Sequence, residues 1–140
     1  MNRKDFFKTT ALALAGIAIG PALIESCSKS GTGPQGPTVN FTVDLNASAN
    51  AALANMGGFI YSNGVIVTRI STAALGFVAL AQACTHAGCT IAYNAAGMNF
   101  LCPCHGGTYD ANGNVSGGPP PNPVKSYAVT RVNSILTIKG

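Results

Sequence analysis

The sequence predicts a small all-β domain built as an antiparallel sandwich or barrel, and three kinds of observation support this class. From Val39 to Leu45, apolar and polar residues alternate, which is the pattern of a strand with one buried face. Short apolar runs follow along the rest of the chain. Turn-forming dipeptides separate several of these runs, so neighbouring runs are expected to pair as hairpins.

After this first strand, the apolar runs define the remaining strands in chain order. They are predicted at residues 58–61, 65–70, 77–83, 90–93, 98–101, 127–132 and 135–139. The predicted hairpin turns are Asn63-Gly64, Ala96-Gly97 and Asn133-Ser134. Residues 46–56 are rich in Ala and Asn and fit either a loop or a short helix.

Composition restricts the chain to one folded domain. It has 140 residues, of which 17 are glycine and 9% are charged, so we expect a compact, loop-rich body without room for a second catalytic domain. The basic residues after position 27 are Lys29, Arg69, Lys125, Arg131 and Lys139, against the acidic Asp44 and Asp110. This excess is too weak and too scattered to indicate nucleic-acid binding.

The N-terminus has the pattern of an export signal. Residues 1–8 form a basic head that resembles a twin-arginine signal with Lys4 in place of the second arginine, and residues 9–24 are apolar and uncharged. We therefore predict an export signal or membrane anchor over residues 1–26. A permanent transmembrane anchor is the second choice, because a helix of this length covers about 24 Å of a hydrocarbon core of roughly 30 Å.

Cys27 follows the apolar stretch directly and is a candidate lipidation site. The residues before it resemble a lipoprotein cleavage motif in part, with Glu25 at a position that is usually small or apolar. The alternative is an unpaired cysteine without a role. Residues 27–37, rich in Ser, Gly and Pro, are predicted to be a flexible linker, and residues 38–140 to be the folded domain.

Two short loops gather four of the five cysteines and both histidines. Residues 84–89 are Cys-Thr-His-Ala-Gly-Cys, and residues 102–107 are Cys-Pro-Cys-His-Gly-Gly. This concentration indicates a metal site and favours iron, because one type of 2Fe-2S cluster uses two thiolates and two imidazoles. A zinc site is the alternative, although zinc sites usually space two cysteines and then two histidines along the chain. A framework of two disulfides would leave both histidines unexplained.

These loops resemble those of the Rieske iron-sulfur proteins, specifically the disulfide-containing branch found in cytochrome bc and bf complexes. The resemblance continues at residues 106–110, Gly-Gly-Thr-Tyr-Asp, where the family typically has Gly-Ser-x-Tyr-Asp. It also includes a Gly-Pro-x-Pro loop that covers the cluster in the family, here Gly118, Pro119, Pro120 and Pro121. The resemblance implies a Rieske-type fold in which two loop tips form a cluster-binding subdomain.

The resemblance also implies a role for each side chain of the two loops. Cys84 and Cys102 would hold the inner iron of a 2Fe-2S cluster and His86 with His105 the outer one, while Cys89 and Cys104 would form a disulfide. The Tyr109 hydroxyl is expected to bond to the Cys84 sulfur.

Two positions depart from the family pattern. Gly107 stands where the family has a serine that donates to the cluster, so we expect Gly107→Ser to restore a donor and raise the midpoint potential. Ala87 stands where quinol-oxidising members often carry a leucine that packs into cytochrome b.

The function implied by the resemblance is electron transfer without a substrate site of its own. The chain would be an exported, membrane-tethered iron-sulfur subunit of a quinol-cytochrome oxidoreductase-like chain, with cytochrome b or c or another redox protein as partner. Its expected place is the bacterial cell envelope, on the periplasmic or outward-facing side of the membrane. A small subunit of a periplasmic molybdenum oxidase of the arsenite oxidase type is one alternative, and a zinc-stabilised binding module is an alternative of another class.

Overall fold

The computed structural model describes residues 34–140, and their strands form two antiparallel sheets. The strands are β1 Asn40–Asp44, β2 Phe59–Ser62, β3 Val65–Arg69, β4 Phe77–Ala81, β5 Ala92–Asn94, β6 Asn99–Leu101, β7 Thr108–Tyr109, β8 Val115–Gly117, β9 Ser126–Val132 and β10 Ile135–Lys139. One 3₁₀ helix, Ser48–Ala54, lies between β1 and β2. This architecture confirms the predicted all-β class.

The larger sheet has the strand order β1-β10-β9-β4-β3-β2 and forms the base of the domain. Strand β3 lies between the edge strand β2 and β4, and it is buried on both faces over Val65–Thr68, of which the first three residues are apolar. Leu80 on β4 and Leu136 and Ile138 on β10 complete the same core and are fully buried.

The smaller sheet, β5-β6-β7-β8, is inserted in the chain between β4 and β9 of the base. The first cysteine loop connects β4 to β5, and the second connects β6 to β7. Phe100 on β6 pairs with Tyr109 on β7, and both aromatic rings are fully buried. Because the start of β5 pairs with the end of β6, the two loops leave the small sheet at the same end, beside its buried aromatic pair.

Most predicted elements are present, with shifts of one or two residues at their ends. Strands β7 and β8 were not predicted, and residues 46–56 contain a 3₁₀ helix. Asn63 and Gly64 both have positive φ, as a tight hairpin turn requires, whereas at the Asn133-Ser134 turn only Asn133 does.

The segment before β1 lies against the base. Gln35 forms a parallel bridge with Val124, and the Tyr127 hydroxyl donates to the Pro37 carbonyl at 2.7 Å. The predictions for residues 1–26, for Cys27 and for the first part of the linker lie outside the described residues. Among residues 34–140, no helix is long and apolar enough to cross a membrane.

Candidate metal centre

The two cysteine loops have the same backbone hydrogen bonds. In the first, Gly88 N–H donates to the Cys84 carbonyl at 2.8 Å, and Cys84 N–H donates to the Cys89 carbonyl at 2.7 Å. In the second, the corresponding bonds are from Gly106 to Cys102 at 3.0 Å and from Cys102 to Gly107 at 2.7 Å. Each loop therefore turns its first cysteine inward.

A glycine with positive φ closes each of these loops. Gly88 has φ 72° and Gly106 has φ 73°. A side chain would meet nothing within 4 Å at either position, so it is the backbone conformation and not the available space that favours glycine there.

The first cysteine of each loop is a buried free thiol. Cys84 is 3% exposed and Cys102 is 1% exposed. Burial opposes ionisation of Cys84, but the Tyr109 hydroxyl, the His86 and Ala87 amides and the Cys102 thiol outweigh it and lower the pKa of Cys84. Burial, followed by the neighbouring Cys84, raises the pKa of Cys102. The hydrogen bonds around Cys84 therefore favour the negatively charged thiolate form of this side chain.

The other two cysteines of the loops form a disulfide. Cys89 and Cys104 are joined with their Cα atoms 6.4 Å apart, and the bond ties the two loops together. The sulfur atoms of Cys89, Cys102 and Cys104 all lie within 4.8 Å of one another. Since the first and last of these are bonded to each other, they offer no thiolate, and the free sulfur donors of the two loops are Cys84 and Cys102.

Both histidines lie at the exposed ends of the loops and face each other. The Nδ1 atoms of His86 and His105 are 3.2 Å apart, and the rings meet edge to face with centroids at 4.6 Å. Two imidazole nitrogens directed at one small region are suited to bind one metal ion between them. Two thiols and two imidazole nitrogens thus occupy one pair of loops.

Tyr109 connects the first loop to the sheet behind it. Its hydroxyl lies 3.3 Å from Cys84 Sγ and 3.1 Å from both the amide nitrogen and Oγ1 of Thr85. Thr85 Oγ1 in turn donates to the Asn122 carbonyl at 2.7 Å. Since the Thr85 proton is used there, the Tyr109 proton has two acceptors, Cys84 Sγ and Thr85 Oγ1.

The Gly-Pro-Pro-Pro loop lies directly against the second cysteine loop. A Cβ built on Gly118 would lie 2.6 Å from Cα of Gly107, and one built on Gly107 would lie 2.5 Å from Cγ of Pro120. The Pro120 ring fills the space that a serine side chain at position 107 would need, so Gly107→Ser requires this contact to shift, and its effect on the midpoint potential stays a prediction.

The sequence placed the cysteines and histidines of the centre but missed three residues around it. Thr85 and Asn122 join the first loop to the proline loop, and Pro120 packs on Gly107. The one signal for Thr85 was its place between Cys84 and His86. Nothing in the sequence indicated which of three consecutive prolines is buried.

Comparisons with known proteins agree with this geometry. A family model described as Rieske [2Fe-2S] domain matches residues 55–128. The cytochrome b6-f complex iron-sulfur subunit of Prochlorococcus marinus is 43% identical over 61 residues, which cover 44% of this chain and 33% of that protein. Subunit 3 of the same name from Nostoc sp. is 45% identical over 60 residues, 42% of this chain and 34% of that protein. The matches thus span about a third of these curated relatives.

Two solved structures share the fold. The plasma membrane Rieske protein PetC3 from Synechocystis has a TM-score of 0.55 and 26% identity over 70% of this chain and 99% of that one. The ferredoxin of carbazole 1,9a-dioxygenase from Nocardioides aromaticivorans has a TM-score of 0.54 at 22% identity, over 70% of this chain and 96% of that one, and supports the fold alone.

Proposed function

Because this chain belongs to the Rieske [2Fe-2S] domain family, we propose that it is an electron-transfer protein that exchanges one electron at a time through a 2Fe-2S cluster held by its two loops. The observation that carries this proposal is the pair of buried free thiols beside two exposed imidazoles whose Nδ1 atoms are 3.2 Å apart. When bound, such a cluster supplies a one-electron redox couple.

The donors present fit a cluster with mixed ligands. Cys84 and Cys102 are the free sulfur donors of the two loops, and they would hold one iron. His86 and His105 would hold the other iron through Nδ1, with each Nε2 left on the far side of its ring. Thiolate and imidazole in equal number are the donor set that distinguishes this cluster type from the all-cysteine type.

The surroundings of the donors suit electron exchange at the histidine side. The sulfur side is buried beneath the loops, whereas His86 and His105 are exposed, so a partner can approach the imidazoles. Tyr109 donates to the Cys84 sulfur and favours its charged form. The disulfide between the loops limits their separation.

We propose that the physiological partner is a cytochrome or another redox protein and that the chain is an iron-sulfur subunit of a quinol-cytochrome oxidoreductase-like chain. The names of the relatives support this assignment, since they are subunits of cytochrome b6-f complexes. Residues 83–90, 102–107 and 118–123, which make up the loops and their cover, contain no Asp, Glu, Lys or Arg. A surface without charge favours an apolar and uncharged docking face on the partner.

We further propose that the protein is exported and tethered on the outward-facing side of a bacterial membrane. The apolar stretch at residues 9–24 and Cys27 support export and anchoring, and a disulfide is typical of an oxidising compartment.

Metal analysis and spectroscopy of protein purified from native membranes test the cluster. We expect two irons per chain and, after reduction, an electron paramagnetic resonance signal with the low average g value of mixed ligation. His86→Cys serves as a comparison, because it should move the signal toward that of an all-cysteine cluster if the chain still binds iron. One zinc and no iron per chain would contradict the proposal. Identification of copurifying subunits separates a cytochrome partner from the pterin subunit of a molybdenum oxidase.

A further inference from the structure

Residues 35–37, the end of the predicted linker, form a strap along the segment that joins the proline loop to β9. Gln35 N–H donates to the Pro123 carbonyl at 3.1 Å, and Lys125 N–H donates to the Gln35 carbonyl at 2.8 Å. Gln35 and Val124 form a parallel bridge between these two bonds. The strap is therefore paired with residues 123–125 as a short added strand.

The strap fits closely but is exposed on its outer side. A Cβ built on Gly36 would lie 2.6 Å from Cβ of Ala81 and 2.7 Å from the Tyr127 hydroxyl oxygen, so any larger residue would lift the strap. The same hydroxyl donates to the Pro37 carbonyl at 2.7 Å. Residues 34–38 are all exposed. A segment held by exposed backbone hydrogen bonds, without buried side chains of its own, opens at low free energy.

Two consecutive carbonyls connect the strap to the metal centre. The Pro123 carbonyl accepts from Gln35 of the strap, and the neighbouring Asn122 carbonyl accepts from Thr85 Oγ1 of the first cysteine loop at 2.7 Å. The strap, Asn122, Thr85 and Cys84 also line one cleft of about 460 Å³. The peptide between Asn122 and Pro123 is thus held by the linker on one side and by the metal centre on the other.

We propose that the strap is a positioning element of the metal centre, in which Gly36 and Tyr127 keep the Asn122 carbonyl in place as the acceptor for Thr85. The proposal rests on the proposed function insofar as Cys84 is a cluster ligand. The docking of the linker then controls how the hydrogen bonds around the Cys84 sulfur are shared.

The direction of this control follows from the proton of Tyr109. While the strap is docked, Thr85 Oγ1 donates to the Asn122 carbonyl, and the Tyr109 proton is shared between Thr85 Oγ1 and Cys84 Sγ. When the strap is released, the Asn122 carbonyl withdraws and the Thr85 hydroxyl turns to donate to the Tyr109 oxygen. The Tyr109 proton then serves the sulfur alone, which stabilises the reduced state and raises the midpoint potential.

Amide hydrogen exchange of the full-length protein reports strap docking directly. The reporter is the Lys125 amide, which donates to the strap, and the reference is the Leu45 amide, which donates to the Ser134 carbonyl at the far end of β1. Two variants loosen the strap, and a third is the matched control at the exposed position directly after it; they are Gly36→Ala, Tyr127→Phe and the control Thr38→Ala.

We expect Gly36→Ala to raise the exchange rate of Lys125 relative to Leu45 by about tenfold, the equivalent of about 1.4 kcal/mol, because the new methyl has no room under the docked strap. Tyr127→Phe should act in the same direction with a smaller effect, since it removes one hydrogen bond and keeps the ring. The control should exchange at the wild-type rate. Equal rates in Gly36→Ala and the control would overturn the proposal.

A change on the metal side of the same peptide should also reach the strap. Thr85→Val removes the hydrogen bond to the Asn122 carbonyl, so we expect faster exchange of the Lys125 amide, because coupling between two positions acts in both directions. Thr85→Ser keeps the hydroxyl and should exchange as the wild type does. A wild-type Lys125 rate in Thr85→Val would overturn the connection.

The midpoint potential of the loaded protein is the second readout. Gly36→Ala should raise it, with the same sign as Thr85→Val. In a Thr85→Val background, Gly36→Ala should add nothing, because the route through the Thr85 hydroxyl is already lost. Shifts that simply add, or an unchanged potential in Gly36→Ala together with faster Lys125 exchange, would overturn the positioning role.

The two readouts separate this proposal from the proposed function. Exchange is measurable whether or not the chain binds iron, so a wild-type chain without iron refutes the proposed function while Lys125 exchange in Thr85→Val still decides whether strap and centre are connected. If Gly36→Ala does not fold, Tyr127→Phe takes its place in both comparisons. Unchanged Leu45 exchange shows that a variant opens locally and not globally.

Discussion

Removing the Tyr109 hydroxyl should lower the midpoint potential of the centre and also destabilise the fold. Tyr109→Phe deletes the donor 3.3 Å from the Cys84 sulfur while keeping a ring that is fully buried against Phe100. A reduced cluster carries one more negative charge than an oxidised one, so a donor beside a ligand sulfur stabilises the reduced state more. Its removal therefore favours oxidation.

The size of the shift follows from the difference between the two oxidation states. A hydrogen bond to a charged group is worth about 1.5 to 3 kcal/mol, and only part of this differs between the states. For one electron, a tenfold change in equilibrium is about 59 mV, so a difference of about 1 kcal/mol appears as about 40 mV. The Thr85 amide also loses its partner at 3.1 Å, so we expect a further loss of about 1 to 3 kcal/mol in unfolding free energy.

Thr85→Val is the comparison variant, because it removes the competing acceptor and keeps the branched shape of the side chain. It also removes the hydrogen bond to the Asn122 carbonyl, so its potential is compared only in protein whose unfolding free energy and cluster content match those of the wild type. The Tyr109 proton, now divided between Cys84 Sγ and Thr85 Oγ1, would then serve the sulfur alone. The potential should rise in this variant and fall in Tyr109→Phe. Protein-film voltammetry at fixed pH measures both shifts, and an unchanged or raised potential in Tyr109→Phe with an intact cluster would refute the reasoning.

Three further predictions concern the disulfide, the partner surface and the anchor. Replacing Cys89 and Cys104 by serine should reduce the unfolding free energy by about 2 to 4 kcal/mol, because the bond closes a loop with a sequence separation of 15 and so restricts the unfolded chain; denaturant unfolding measures this loss, and equal stability of the variant would contradict it. Electron transfer to the partner should change less than about twofold between low and physiological salt, since the docking loops contain no Asp, Glu, Lys or Arg; a steep fall in stopped-flow rate would place a charged surface in the interface. Cys27→Ser should accumulate as unprocessed precursor if the chain is a lipoprotein, and mass spectrometry of the membrane form would instead show an intact Met1 if the uncleaved N-terminal segment is the anchor.

The strands of the base could be predicted because the hydrophobic pattern that indicates a strand lies within their own residues. β1 alternates between apolar and polar residues, and β3 begins with three consecutive apolar residues directly after a turn. β7 and β8 carry no such signal, since they are two and three residues long and contain Thr108, Ser116 and Gly117. They are strands because β6 offers them a pairing edge, which is a property of the tertiary fold.

The chemistry of the centre was likewise predictable from residue type, and its packing was not. Cysteine and histidine are rare and functionally distinctive, so their clustering in two loops identified the candidate donors, and the structure brings these two loops together. Gly107 shows the opposite case. From the sequence it indicated a missing donor, whereas its contact with Pro120 shows that the position is filled from another loop. A glycine in place of a larger residue can mean that an interaction is lost. It can equally mean that a neighbouring residue fills the space of the missing side chain.

The two loops also show how one repeated backbone produces a centre with two different sides. Both place a cysteine at the first position, where the shared hydrogen bonds turn the side chain inward, and both of these thiols are buried. The later positions point outward, and there the order of residues differs: His86 precedes Cys89 in the first loop, whereas Cys104 precedes His105 in the second. This reversed order lets the outer cysteines bond to each other while the histidines still meet at 3.2 Å. The buried sulfur side and the exposed imidazole side thus follow from loop position, and in the proposed function this asymmetry would direct electron exchange toward the histidines.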